Sequence, residues 1–301
     1  MSVRLLLIPA LALAQACTPG AASKSPPPAF SAAEWTEACE DWDDWDKPGP
    51  PYGIAQGVHY VGTCGISAIL VTGEEGHVLI DGGSAAAAPQ IAANIEALGF
   101  ALEDVKILLH SHEHYDHVGG LAALQRMTGA RLLASARAAP VFETGQPEPD
   151  DPQAATLDPV EPARVDGIVA DGDVVRLGGL ALTAVATPGH APGALSWHWR
   201  VCGAAGECRA IVYADSLTPA SSEAYRFRNH PAYVAAYRAG LDRLATVDCD
   251  ILLTPHPSAS EMRDRLIAGD LAAAPTCAEY IDAIRAQIDD RLRRETTGDL
   301  Q

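Results

Sequence analysis

Apolar residues recur along this chain in two patterns, and stretches of the two alternate. Residues 67–72 (SAILVT) and 77–81 (HVLID) are short apolar runs that predict two strands, joined by the turn-like Gly73-Glu74-Glu75-Gly76. Pro89 opens a helical pattern with Ile91, Ile95 and Leu98 on one face and Gly99 at its C-terminal end. Residues 105–109, apolar but for Lys106, form a strand that runs straight into a cluster of histidines, and residues 121–127 follow as a helix. The second half repeats the plan. Strands are predicted at 174–177, 180–187, 194–201 and 209–214, a helix at 231–244, a buried strand at 250–254 and a long amphipathic helix at 276–294. Two β-then-α halves of similar make-up predict a layered α/β fold with two sheets in the middle. Residues 142–166, rich in Pro, Asp and Glu, are expected to form one long polar loop, a length usually reserved for functional or mobile segments.

The N-terminus departs from this plan. Arg4, an apolar stretch from Leu5 to Leu13 and the small-x-small Ala14-Gln15-Ala16 predict a secretory signal over residues 1–16. A cut after Ala16 leaves Cys17 first, where a lipid anchor would sit; a later cut after Ala22 discards it. A disordered leader is expected over 17–34, then a single domain over 35–301, opening with an acidic, Trp-rich segment (Trp35, Trp42, Trp45). The signal places the protein in the periplasm.

Composition narrows the function. Of 301 residues, 48% are hydrophobic, which excludes intrinsic disorder. The net charge of −18 would repel the phosphates of nucleic acid. No apolar run approaches the roughly 20 residues of a membrane span. Seven cysteines become six once Cys17 is set aside: Cys39, Cys64, Cys202, Cys208, Cys249 and Cys277. An even number in an exported chain suggests three disulfides, with about 15 possible connectivities. Nesting in sequence favours Cys39–Cys64, Cys202–Cys208 and Cys249–Cys277. No C-x-x-C pair supports a zinc–cysteine cluster instead.

The chemistry concentrates in Leu109-His110-Ser111-His112-Glu113-His114-Tyr115-Asp116-His117-Val118-Gly119-Gly120, at the end of an apolar strand, where α/β sheets bind ligands. In an extended loop His112 and His114 point the same way and can share one metal, while Asp116 and His117 turn toward a second. Imidazole and carboxylate suit zinc without any cysteine. His190 (in TPGH) and His256 (in TPHP) follow strands in two further loops. His110 keeps the same alternation but does not head the H-x-H-x-D-H spacing, so it reads as structural. The isolated His59, His77, His198 and His230 read as surface or core residues.

With His190 and His256 following in order, His112-x-His114-x-Asp116-His117 resembles the metallo-β-lactamase superfamily. The pairing of Asp116 with His117, the segment Ala214-Asp215-Ser216-Leu217-Thr218, the loops around His190 and His256, Trp45-x-x-Pro48 and Tyr225-Arg226-Phe227 are similar to subclass B3. The six cysteines fall where some B3 enzymes place three disulfides. The resemblance implies a four-layer αβ/βα sandwich, two central mixed sheets flanked by helices. It implies two zinc ions, one held by His112, His114 and His190 and the other by Asp116, His117 and His256. It further implies that zinc-bound hydroxide opens the β-lactam amide of penicillins, cephalosporins and carbapenems. Asp116 would orient the nucleophile, Ser216 and Thr218 would hold the substrate carboxylate, and Asp81 would brace the ligand loops. The partner expected is a small-molecule β-lactam, and the protein is expected to be a monomer. Glu113 departs from the family pattern, which has a small residue there. The motif alone is shared with lactonases and glyoxalase II-like thioesterases, which place a metal-bridging aspartate at the position of Asp215.

Overall fold

The structure, a computed structural model, describes residues 30–203 and 206–298; the signal and Cys17 lie outside the described residues. The first helix, α1 (Ala32–Ala38), starts inside the stretch expected to be disordered leader, so that expectation fails from Ser31 onward, while residues 17–29 lie outside the described residues. Its cause is legible locally. Ser31 and Glu34 close a reciprocal capping box, and Trp35 buries its ring against Tyr52 and Tyr60 at 6.0 and 5.5 Å between centroids.

The chain then runs through β1 (Tyr52–Ala55), β2 (Val58–Tyr60), β3 (Ile69–Gly73), β4 (Gly76–Ile80), α2 (Ala88–Ala97), β5 (Val105–Leu109), α3 (Tyr115–Val118), α4 (Leu121–Thr128), β6 (Arg131–Ser135), α5 (Ala139–Thr144) and β7 (Val165–Val169). These seven strands form one sheet in sequence order, antiparallel from β1 to β4 and parallel from β4 to β7. The second half supplies β8 (Val174–Leu177), β9 (Leu180–Ala186), β10 (Leu195–Cys202), β11 (Cys208–Tyr213), α6 (Pro231–Leu244), β12 (Ile251–Leu253), α7 (Met262–Ile267) and α8 (Cys277–Thr297). Its five strands are ordered β12-β11-β10-β9-β8, with only the β11–β12 pair parallel. Both sheets are therefore mixed. The polar stretch expected over 142–166 is shorter at both ends: Val141 and Phe142 are buried on α5, and residues 165–169 pair with β6.

Alternation along the central strands explains the layering. Ile69, Val71, Val78, Ile80, Ile107 and Leu109 face Leu182, Ala184, Trp197, Ile211 and Tyr213 across the space between the sheets. Their neighbours Leu70, Leu79 and Leu108 turn the other way, against Ile91 and Ile95 of α2 and Leu121 and Leu124 of α4. Val185, Val212 and Leu252 likewise meet α6 and α8. Strands buried on both faces read as continuous apolar runs, which is why β12, and β5 beyond the exposed Lys106, show no polar alternation. The result is a four-layer αββα sandwich.

Cys39–Cys64, Cys202–Cys208 and Cys249–Cys277 are paired, with Cα–Cα separations of 5.2, 4.0 and 6.3 Å. Among the described residues no helix is long and apolar enough to cross a membrane.

Candidate active site

Strand direction assembles the site. In the second sheet β9 and β11 each run antiparallel to β10, hence parallel to one another, and β12 runs parallel to β11. The C-terminal ends of β9, β11 and β12 therefore share one edge, as do those of β4 and β5 in the first sheet. The loops leaving these ends carry His190, Asp215, His256, Asp81 and His112–His117. The two edges are stitched together there. Leu195 N–H donates to the Ser111 carbonyl (2.7 Å), Trp197 Nε1–H to the His110 carbonyl (2.8 Å) and Ser67 N–H to the Pro255 carbonyl (2.8 Å).

Two overlapping groups can hold a metal: His112, His114 and His190, and His112, Asp116 and His117, each with ligand atoms within 4.8 Å of one another. Ring centroids lie 4.5 Å apart for His112–His114, 4.8 Å for His112–His190 and 5.0 Å for His114–His190. Asp116 Oδ2 lies 3.0 Å from His117 Nε2 and 3.3 Å from His256 Nε2, so His256 joins the second group through that oxygen. All six residues expected as ligands thus converge.

Hydrogen bonds on the outer ring edges show which nitrogens face inward. His112 Nδ1 lies 2.7 Å from Asp215 Oδ1, leaving a buried Nε2 with no partner among the described residues. His190 Nδ1 lies 2.9 Å from Thr218 Oγ1 and 3.1 Å from the Thr218 carbonyl. His117 Nε2 is another buried nitrogen on the inner side; its neighbour Asp116 Oδ2, 3.0 Å away, does not meet hydrogen-bond geometry. Buried nitrogens aimed at one point without partners cost free energy unless something there takes their lone pairs. Imidazole nitrogens and one carboxylate are a donor set that fits zinc.

The electrostatics agree. Burial, followed by the neighbouring His117, His114, His190 and His256, drives His112 well below the ordinary histidine range, and burial with His114 does the same to His190. Both are neutral, as ligands must be. Burial opposes charge on Asp116 too, yet His117 and His256 hold its carboxyl well below the usual range; desolvation lowers His117, but Asp116, Asp81 and Asp215 raise it overall.

Around this cluster, Asp81 has the left-handed φ of 66° unusual for a side-chain-bearing residue. It is held by the Ser111 N–H on Oδ1 (2.6 Å) and the Tyr213 hydroxyl on Oδ2 (2.7 Å), so it braces the first ligand loop against the second sheet. Glu113 is buried beneath the His190 loop and accepts the Gly193 N–H at 2.7 Å; burial pushes its carboxyl up to about 7. Burial raises Asp215 similarly, to about 7. The Thr218 hydroxyl oxygen lies against His190 Nδ1, whereas the buried Ser216 Oγ has no partner among the described residues. Tyr280 and Tyr237 donate to the carbonyls of Ser216 and Leu217, the latter at φ 55°, and so fix this turn from two helices.

His110 points away: its Nε2 accepts the Ser135 N–H at 3.1 Å and its ring meets Phe142 edge-on. Trp42 and Trp45, 70% and 49% exposed, lie 6.3 and 6.1 Å from the His256 ring and wall the mouth of the site. Two residues at the site were not foreseen. Asp151 lies 2.9 Å from His114 Nε2, and Gln153 Nε2 lies 3.3 Å from His190 Nε2. Both sit in the polar loop, and no spacing rule ties them to histidines 37 residues away in sequence.

An αββα sandwich whose strand ends converge on five histidines and an aspartate is the framework of a metal-dependent enzyme. The chain belongs to the metallo-β-lactamase superfamily: a family model described as Metallo-beta-lactamase superfamily matches residues 61–256. Among solved structures it is similar to the MIM-2 metallo-β-lactamase, with 56% identity over 89% of this chain and 99% of the other and a TM-score of 0.84. It is also similar to MIM-1 from Novosphingobium pentaromativorans (47% identity, 89% and 100% of the two chains, TM-score 0.85). A third is MEM-A1, a subclass B3 enzyme from a soil metagenome library (41%, 85% and 100%, TM-score 0.80). Curated relatives match over shorter stretches. A hydroxyacylglutathione hydrolase of Bradyrhizobium sp. (strain ORS 278) is 38% identical over 100 residues, 33% of this chain and 30% of that protein.

Proposed function

We propose that this protein is a subclass B3 metallo-β-lactamase that hydrolyses the amide bond of penicillins, cephalosporins and carbapenems with two zinc ions. One zinc would be held by His112, His114 and His190 and the other by Asp116, His117 and His256. Bound there, zinc supplies a nucleophile at neutral pH, by lowering the pKa of water to about 7, and a Lewis acid for the lactam carbonyl.

The chain's own residues do the rest. Asp215 and Thr218 fix the rings of His112 and His190 from behind, and Asp81 holds the backbone between the sheets. Asp116, ionised and aimed inward, would orient the attacking group. Ser216, its hydroxyl unspent, and Thr218, whose hydroxyl oxygen faces His190 while its own proton stays free to donate, are the proposed contacts for the substrate carboxylate. Trp42 and Trp45 offer an apolar wall to the substrate side chain. At a net charge of −18 the chain does not attract an anion at long range, so attraction is local.

The placement of Asp215 carries this reading. In the thioesterase alternative the aspartate at this position bridges the metals. Here Asp215 Oδ1 is engaged by His112 Nδ1, on the ring edge opposite the inward-facing Nε2. Export to the periplasm completes the proposal, supported by the N-terminal pattern and the paired cysteines.

The test is turnover of a chromogenic cephalosporin by purified protein, before and after EDTA and after zinc is restored, with a hydroxyacylglutathione thioester in parallel. Cephalosporin opening that EDTA abolishes and zinc restores is the expected result. Thioester cleavage without lactam opening would overturn it.

A further inference from the structure

We propose that Asp151, on the polar segment between α5 and β7, is a positioning residue for the metal centre: its carboxylate sets the ring of His114 and so makes metal affinity depend on how that segment folds. The inference rests on His114 being a zinc ligand, as proposed above.

Asp151 is only 3% exposed, although it comes from a polar stretch rich in Pro, Asp and Glu. Its Oδ2 lies 2.9 Å from His114 Nε2 and its Oδ1 accepts the Gln153 N–H at 2.6 Å. A carboxylate only accepts hydrogen bonds, so the His114 proton resides on Nε2. The other ring nitrogen, Nδ1, is then the one left to the group formed with His112 and His190. Without this partner the two tautomers would compete and the ring could turn about χ2. A carboxylate behind a ligand imidazole also raises its basicity toward a metal.

The segment is anchored well enough for such a role. Asp151 N–H donates to the Glu148 carbonyl, Ser222 N–H to the Pro152 carbonyl at 2.8 Å, and Val160 N–H to the Gly145 carbonyl at 2.9 Å. The same turn brings the Gln153 side chain to His190, so one loop touches two of the three histidines in the first group. Burying a carboxylate is costly unless it is paired, and the partners of Asp151 are that ligand ring and one backbone N–H.

The experiment measures zinc affinity of the full chain by competition with a chromophoric chelator, together with the visible spectrum of the Co(II)-substituted protein and thermal melting without metal. The variants are Asp151→Asn, His114→Ala and, as control, Asp150→Asn, whose side chain is 79% exposed. Asp151→Asn should weaken metal binding by roughly 10- to 100-fold. It should also shift the Co(II) spectrum and leave metal-free melting unchanged, while Asp150→Asn does neither. Unchanged affinity in Asp151→Asn alongside a loss in His114→Ala would overturn the role of Asp151 alone. Weaker binding that comes with lower metal-free melting and an unshifted spectrum would make Asp151 a fold residue, which also overturns the proposal. Unchanged affinity in His114→Ala would instead refute the zinc assignment beneath it.

Discussion

His110 offers a test that separates the metal cluster from the scaffold beneath it. Its imidazole is fully buried two residues before the first ligand, accepts one backbone N–H from Ser135, and is pushed by desolvation from the ordinary 6.5 down to about 3. A histidine held neutral by the fold is protonated more readily in the unfolded chain. Its contribution is therefore intact above pH 6.5 and is lost as pH falls toward 3. Between pH 7 and pH 5 the unfolded chain takes up most of a proton here and the native one almost none, a loss of about 2 kcal/mol. Below pH 3 the loss approaches about 5 kcal/mol. His110→Gln removes the titration and keeps an acceptor for Ser135. Urea unfolding of wild type and variant, both metal-free so that ligand protonation cancels, gives the stability gap at each pH. The gap should move by about 2 kcal/mol in favour of the variant on going from pH 7 to pH 5. A gap constant to within about 0.5 kcal/mol, the usual additivity error, refutes the claim that His110 is buried neutral. Zinc content of the variant should equal that of wild type, because His110 faces away from the cluster.

Three further outcomes follow from the geometry. His256→Ala should halve zinc stoichiometry by elemental analysis and leave the far-ultraviolet spectrum intact, since His112, His114 and His190 stay together; two retained zincs would refute its ligand role. Gly189→Ala places a Cβ 2.4 Å from the Tyr237 ring, so the His190 loop must move; a stability loss of about 1–3 kcal/mol with weaker zinc binding is expected, and unchanged affinity would show the loop to be tolerant. Removing the Cys249–Cys277 bridge, 28 residues apart, should cost about 3.5 kcal/mol in denaturant unfolding, against about 2 kcal/mol for Cys202–Cys208, 6 residues apart. The opposite ranking would contradict the loop-entropy account.

Elements that bury a full face were readable from the pattern: β5, β8 and α6 begin and end at the predicted residues, and β3, β4, β9–β12 and α8 lie within a few residues of theirs. Most of those missed are short or lie at an edge, although β6, five residues long between β5 and β7, was missed as well. β1 and β2 have four and three residues, and β7 is an edge strand that buries only Val169. α1 was announced by Ser31-x-x-Glu34, a signal masked by the Pro-rich residues before it.

By itself the sequence determined the kind of chemistry. A strand emptying into H-x-H-x-D-H brings ligand side chains together within a few residues, where backbone geometry alone sets their direction, and the apolar periods settle which faces pack. What it left undecided are relations between residues far apart in the chain. Asp215 and His112 are 103 positions apart and Asp151 and His114 are 37 apart. Whether such an aspartate faces the metal or the back of a ligand ring depends on how two sheets pack at their shared edge, at a resolution of one hydrogen bond. His110 makes the same point: it shares the alternation of His112 and His114, yet tertiary packing turned it into the scaffold beneath Ser135.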